Sequence, residues 1–567
     1  MAKPVLDSGP KRKDDDCDMV TSLQASELSK NELCLHEAAR QNDEMLLRKI
    51  IKKNAANLNC KNNLDRTALH MAASQGHIEA TRILIVEGKV SVDIPDKYGM
   101  TPLLWAAYFG HLEVVQFLVE KGAVISKRNK QGCDIVHIAA EGNFVNILEY
   151  MFRKHRHFKL DDQDYNGMSP FLLAVSKNCV LSAKALIEKD IDVSQLDKTN
   201  KNAWHLACKN GHENIFNLLI EMEVPKELMN KLDSSDKSPL HYACENGFIK
   251  IVELLIEQGA NLSKPTGNGF TPLHIVTQKS FADIILLLIK AGADINCQNM
   301  QGNTPLHIAT LSNLPSMVTL LLDNNADMDI INNREQTPLH AGVEQNKCDS
   351  VEILLLRGAN LSNIDKTGKT PLLMAARGSY ISMVDMIIKA ERFNQRKKEL
   401  QEQEEERLAN QNKPNGDFLV NAFQPSDYFN VYNIHLEESK QAVFDDPDYS
   451  LKEFNQPYAE EFKLYLWKIA FNNLRFDEWK KLAHYWGFKP EHILAIEYQQ
   501  TKDNSYKYHG YRVLCIWFHG VESQDTPVRG LYEALVSIGR RKLADKIRRE
   551  LDSEGGKSKG NSSCIIH

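Results

Sequence analysis

The side chains best suited to chemistry in this sequence are histidines, and eight of them recur at nearly constant spacing: His36, His70, His137, His205, His241, His274, His307 and His340. A row of imidazoles suggests metal binding or acid–base work. The spacing argues against both, because neighbours one structural unit apart stand roughly 10 Å from each other in a helix stack, too far to share an ion. The other units carry Leu104, Leu172 and Leu373 at this position, so an apolar replacement is tolerated. Gly555-Gly556-Lys557-Ser558 has the ending of a phosphate-binding loop. That loop needs a glycine five residues earlier, where Leu551 stands, and the segment follows a charged helical pattern rather than a strand. There is no GxSxG, no HExxH and no kinase motif set, and the acidic pairs Asp161-Asp162 and Asp445-Asp446 fall in turn-like text. None of the eleven cysteines forms a CxxC pair or stands at zinc-finger spacing from histidine, so they read as reduced thiols used as small core fillers. The expectation is a non-enzyme with no catalytic, cofactor-binding or metal-binding residues.

The end of the chain offers one modification site. Cys564-Ile565-Ile566-His567 has the form of a prenylation box, although His is not among its usual last residues. The glycine-rich lead-in, with Lys557 and Lys559, would let an enzyme reach Cys564 and adds weak attraction to anionic lipid. Other routes to a membrane are absent from the text. The longest aliphatic run, Ile284 to Ile289, falls far short of the ~20 residues of a spanning helix. The first residues lack the apolar stretch of a secretory signal. A net charge of -6 is too mild to imply nucleic-acid binding. A cytoplasmic protein is expected, membrane-associated only if Cys564 is prenylated.

The elements that position the histidines follow from self-similarity. The string Thr-Pro-Leu-His, or a close relative, starts at Leu33, Thr67, Thr101, Asp134, Ser169, Asn202, Ser238, Thr271, Thr304, Thr337 and Thr370, in steps of 33 residues with occasional 34 to 36. Thr or Ser caps a helix, and a following Pro sits where its missing N–H costs nothing. Alanine pairs such as Ala72-Ala73, Ala106-Ala107 and Ala139-Ala140 let neighbouring helices approach closely. The first helix of each unit must end on a left-handed residue. Gly76, Gly110, Gly211 and Gly247 supply it as Gly, and Asn42, Asn143, Asn178, Asn313 and Asn346 as Asn; Ser280 and Ser379 depart. A second, amphipathic helix follows, then a projecting turn such as Asp96-Lys97-Tyr98-Gly99.

The eleven units resemble an ankyrin-repeat array over residues 33–390, with Leu33 to Asp65 as its N-terminal cap and residues 1–32 as a disordered tail. The resemblance implies that the motif histidine bonds neighbouring backbone and that protein clients bind the concave face. Exposed aromatics are the favoured contacts there: Tyr98 at a turn tip, with Tyr108 and Phe109 nearby and Trp105 beside them at a position that is usually apolar.

Residues 391–455 read as a charged interdomain linker, whose first part is a solvated helix or flexible spacer stopped by Pro414-Asn415-Gly416. From 456 to 552 the apolar spacing changes to six helical blocks without the 33-residue echo. Trp479 with Leu482-Ala483, Trp486-Gly487-Phe488, Ile493, Leu514 with Trp517, Leu531, Leu535 and the late Gly539-Arg540-Arg541-Lys542-Leu543-Ala544 resemble a death domain. Both tryptophans are expected in its core. Death domains assemble with other death-fold domains through charged faces, so Arg540, Arg541 and Lys542 are candidate contacts. Residues 553–567 form a flexible tail. The chain as a whole is therefore expected to be all-α, an ankyrin solenoid followed by a six-helix bundle, and it is similar to the ankyrin repeat and death domain-containing protein family. That resemblance implies a signalling adaptor; a membrane tether through Cys564 is the alternative.

Overall fold

The computed structural model describes residues 28–155, 159–411, 459–499, 505–520 and 527–555. Every regular element among them is helical. The chain divides into two compact units, residues 1–267 and 268–567.

In the first unit, helix pairs follow one another from Lys30–Arg40 with Glu44–Lys52 to Pro239–Asn246 with Ile249–Glu257. The first helices of successive repeats pack side by side, and so do the second helices. The expected devices operate locally. Thr101 and Ser169 accept the N–H groups of Leu104 and Leu172, each at 3.3 Å, with Pro102 and Pro170 next in line. Ala72, Ala73, Ala106, Ala107, Ala139 and Ala140 are all fully buried between neighbouring helices. The left-handed position is left-handed throughout: Gly76, Gly110, Gly211 and Gly247 have φ of 76°, 82°, 75° and 76°, and Asn42, Asn143 and Asn178 have 57°, 59° and 60°.

Two local features depart from a plain reading of the period. The first helix begins at Lys30, with Ser29 as its cap. Ser29 and Glu32 form a reciprocal capping box, so the helix starts ahead of Leu33, the residue aligned with the later threonines. The long step from Asn202 to Ser238 is absorbed by a 3-10 turn, Lys226–Asn230, whose Leu228 and Met229 are buried and whose Leu228 carbonyl accepts the Asn202 side-chain N–H at 2.7 Å.

In the second unit the repeats continue from Pro272–Lys279 to Pro371–Arg377. Ser280 and Ser379, the two departures, adopt the left-handed conformation all the same, at φ of 63° and 57°. Helix α1, Ile381–Gln411, starts as the second helix of its repeat, with Met383, Val384, Ile387, Ile388 and Ala390 buried. It then runs on past residue 390, where the pattern changes from apolar to polar. Residues 391–411 are strong helix formers without Gly or Pro, so nothing stops the helix. A bundle follows: α2 Ala459–Asn472, α3 Glu478–Tyr485, α4 Pro490–Glu497, α5 Ser505–His519, α6 Pro527–Ser537 and α7 Arg541–Gly555. Helix α5 is central, packed against α2, α3 and α4. Trp479, Leu482, Ile496, Leu514, Trp517, Leu531, Leu535 and Ile547 are buried in its core. Full burial of each such side chain contributes roughly 2 kcal/mol.

Candidate interaction surfaces

The histidines are spent on holding repeats together. His70 Nδ1 accepts the Thr67 N–H at 2.9 Å, and its Nε2 lies 3.1 Å from the Met100 carbonyl of the next repeat. His274 and His307 repeat this with Thr271 and the Asn303 carbonyl, and with Thr304 and the Gln336 carbonyl. A nitrogen that accepts a backbone N–H carries no proton, so the network assigns the neutral tautomer protonated at Nε2. Burial holds His70 and His307 down to a pKa of about 4. The backbone-bonding role that the family resemblance implies is the one observed.

Several thiols are equally unsuited to attack. Burial pushes Cys60 and Cys297 up to about 11 and Cys515 up to about 12, and it pushes Cys208 well above its ordinary value.

The turn tips are bound to one another by backbone. The Lys130 N–H donates to the Tyr98 carbonyl at 2.9 Å, and the Tyr165 N–H to that of Gln131 at 2.9 Å. This closeness explains Gly99, where a Cβ would stand 2.8 Å from the Lys130 nitrogen. Asp96 fixes the tip from inside. One carboxylate oxygen accepts the Tyr98 and Met100 N–H groups, each at 2.8 Å. The other accepts the Trp105 indole N–H at 3.0 Å and pairs with Arg66 at 3.3 Å, while the Arg66 guanidinium covers the Trp105 ring at 4.3 Å. Asp233 repeats the arrangement with the Tyr242 hydroxyl at 2.6 Å and Lys201 at 3.4 Å. Tyr98, held by its backbone, leaves its ring 55% exposed. Trp105 is buried, with Phe109 stacked on it at 5.7 Å and Tyr108 edge-on at 5.7 Å, so Tyr108 and Phe109 are half-buried supports beside it.

In the bundle, the basic residues of the last helix separate into two kinds. Arg540 is turned inward: its Nη2 donates to the Asn473 carbonyl at 2.7 Å, and its Nε stands 3.6 Å from the buried Glu478. It ties the start of α7 to the α2–α3 corner. Arg541 and Lys542 are exposed. Further along that helix, Tyr465 donates to Glu550 at 2.7 Å and Tyr532 to Asp545 at 2.8 Å.

A further surface was not anticipated from sequence. The start of the polar stretch of α1, residues 391–394, is partly covered by the bundle, and residues 395–399 are exposed. Asp385 takes the Arg512 guanidinium at 3.0 Å from Nε and 2.5 Å from Nη2. Glu391 meets His492 at 2.9 Å and Lys489 at 2.5 Å. Arg392 donates to the Trp486 carbonyl at 2.9 Å and lies over the Phe488 ring at 4.1 Å, and Arg396 donates to the Gly520 carbonyl at 2.7 Å. His492 is 1% exposed and Arg512 9% at the side chain. These partners hold the Glu391 carboxyl down at about 2, with the His492 bond the largest cause.

Family models for ankyrin repeats match residues 35–129, 193–266, 258–332 and 313–398, more than half of the chain, and a death-domain model matches residues 463–551. The chain belongs to the ankyrin-repeat proteins that carry a C-terminal death domain. The ankyrin matches extend to residue 398, into the stretch of α1 that the death domain covers. No helix among the described residues is long and apolar enough to cross a membrane. Cys564, the candidate lipidation site, lies outside the described residues, as does 412–455 of the expected linker.

Proposed function

We propose that the protein is a non-catalytic signalling adaptor whose ankyrin array captures a protein client while its death domain recruits another death-fold domain. The observation that carries this reading is where the chemically capable side chains are spent. Both ring nitrogens of His70, His274 and His307 are spent on backbone, Nδ1 within the repeat and Nε2 on the next one, and the buried thiols are held far from thiolate, while two interaction modules follow each other in one chain. Tyr98, a rigid aromatic presented at an anchored tip, is the client contact, with Tyr108 and Phe109 shaping the ground beside it. Arg541 and Lys542 give α7 a free basic edge for an acidic death-fold face, which selects partners by charge. Arg540 is not part of that edge.

Proximity labelling with the full-length chain tests the reading. Tyr98→Ala should lose one set of neighbours, and the double change Arg541→Glu, Lys542→Glu a different set that includes death-fold proteins. Labelling profiles identical to the wild type for both variants would contradict it.

A further inference from the structure

The contact between α1 and the death domain joins groups far apart in sequence, Asp385 to Arg512 and Glu391 to Lys489 and His492. On the death-domain side it is a compact basic face: the Trp486–Phe488 corner, the first turn of α4 and the middle of α5. On the array side it is one stretch of α1 that presents two carboxylates six residues apart. We propose that this face of the death domain is a docking surface for a helix carrying two carboxylates, and that Asp385 and Glu391 occupy it in cis, so that the array masks the face until a segment of the same chemistry displaces it. The inference rests on the adaptor reading only for what the displacing segment belongs to; the masking stands without it.

Three physical features make this contact a latch rather than a fixed joint. Its attractive groups are ion pairs between carboxylates 25% and 21% exposed at the side chain and largely buried partners, and the cost of taking such charges out of water offsets much of their attraction. The closed state also carries costs that opening relieves. Burial lowers the pKa of Lys389 and brings Arg392 down to about 10, so both cations regain hydration when the domain lifts away. Finally, array and domain share one chain, so docking is intramolecular and needs little intrinsic affinity to persist, whereas a competitor that reproduces both carboxylates on a rigid helix exchanges like for like. A helix that lacks the two carboxylates would cover Lys489 and Arg512 without giving them counter-ions, and is told apart by that.

The full-length chain provides the test. Carbodiimide treatment, which joins a carboxylate to an adjacent amine, should link Glu391 to Lys489, read as a cross-linked peptide pair. Glu391→Lys should abolish that link, and Glu391→Lys combined with Lys489→Glu should restore a link between the same two positions. Cys515 on α5 lies within the fields of Asp385 and Lys389 and reports opening. Its alkylation by N-ethylmaleimide, followed by mass spectrometry, should rise about tenfold, the change that ~1.4 kcal/mol of weakened docking gives, in Glu391→Gln, Arg396→Gln, which leaves Asp385 and Lys389 in place beside the thiol. It should stay at the wild-type rate in Arg541→Glu. Masking itself is read with a labelled synthetic peptide of residues 385–399, which should bind the double variant about tenfold more tightly than the wild type. Absence of the 391–489 link in the wild type, an unchanged Cys515 rate, or equal peptide affinity for both proteins would overturn the proposal. Failure of the chain to capture any death-fold protein would count against the adaptor reading and leave these three results to decide the latch.

Discussion

His307 Nε2 stands 3.0 Å from the Gln336 carbonyl of the following repeat while its Nδ1 takes the Thr304 N–H at 3.2 Å. A second proton at Nδ1 would displace the Thr304 N–H bond, leaving only the Thr304 hydroxyl at 2.9 Å to accept it. The ring and that of His70 are held at a pKa of about 4, against an ordinary 6.5, by burial. Between those limits the unfolded chain binds more protons than the folded one, so stability falls as pH drops from 6.5 toward 4. The expected loss between pH 7 and pH 5 is about 2 kcal/mol for each such histidine. Urea unfolding of the full chain at the two pH values measures it. His307→Leu, which imitates the repeats that carry leucine, should remove its share of the pH dependence while costing about 1 kcal/mol at pH 7 for the lost bond to Gln336.

Asp96 gathers two backbone N–H groups, the Trp105 indole and Arg66 around one buried carboxylate. Asp96→Ala strands all of them and should destabilise the array by about 3 kcal/mol. Tyr98→Ala, two residues along the tip, removes an exposed ring and should stay within about 0.5 kcal/mol of the wild type. Thermal unfolding followed by circular dichroism separates the two. Similar losses for both variants would mean that the Tyr98 ring is part of the fold and not free for a client.

Ser280 and Ser379 hold a conformation that their neighbours in other repeats assign to Gly or Asn. A left-handed non-glycine residue carries a cost of roughly 1 kcal/mol, part of which glycine returns as extra freedom in the unfolded chain. Ser280→Gly should therefore stabilise the protein by about 0.5 kcal/mol, and Ser379→Gly by a similar amount. A shift to higher denaturant midpoints at unchanged slope is the measurement, and a destabilised Ser280→Gly would reject the argument.

What could be read from the chain divides along the range of the forces involved. The left-handed positions, the Thr and Ser caps and the buried alanine pairs are set by backbone sterics within one helical turn, and a repeating text states them many times. The burial of Trp479 and Trp517 followed from their places on apolar stripes. The cap at Ser29 was legible as Ser-x-x-Glu, but alignment to the repeat at Leu33 obscured it. The latch was not legible. Asp385 and Arg512 are 127 residues apart, and a charged residue on a helix looks the same in sequence whether water or another domain covers it. One signal was present: Lys389 interrupts the apolar stripe Met386-Ile387-Ile388, and it is buried. Likewise Arg540 and Arg541 are identical neighbours in text, and only the carbonyl of Asn473 and the carboxylate of Glu478 distinguish them.

That distinction yields the sharpest test of the death domain's basic edge. Arg540 Nη2 donates to the Asn473 carbonyl and its Nε faces the buried Glu478, whose own carboxylate accepts the Arg475 N–H at 2.9 Å. Reversing its charge places two carboxylates together in a half-buried corner and leaves the carbonyl without its donor. Arg540→Glu should lower the stability of the domain by about 3 kcal/mol. Arg541→Glu and Lys542→Glu change only solvated charge and should move stability by less than about 0.5 kcal/mol. Partner capture must therefore be scored on the latter pair, with Arg540→Lys as a third variant that keeps the charge but loses the fork. Capture lost in Arg541→Glu, Lys542→Glu at unchanged melting temperature assigns the edge to binding. Capture lost only in Arg540→Glu, together with a lower melting temperature, assigns the effect to folding and leaves α7 without a contact role.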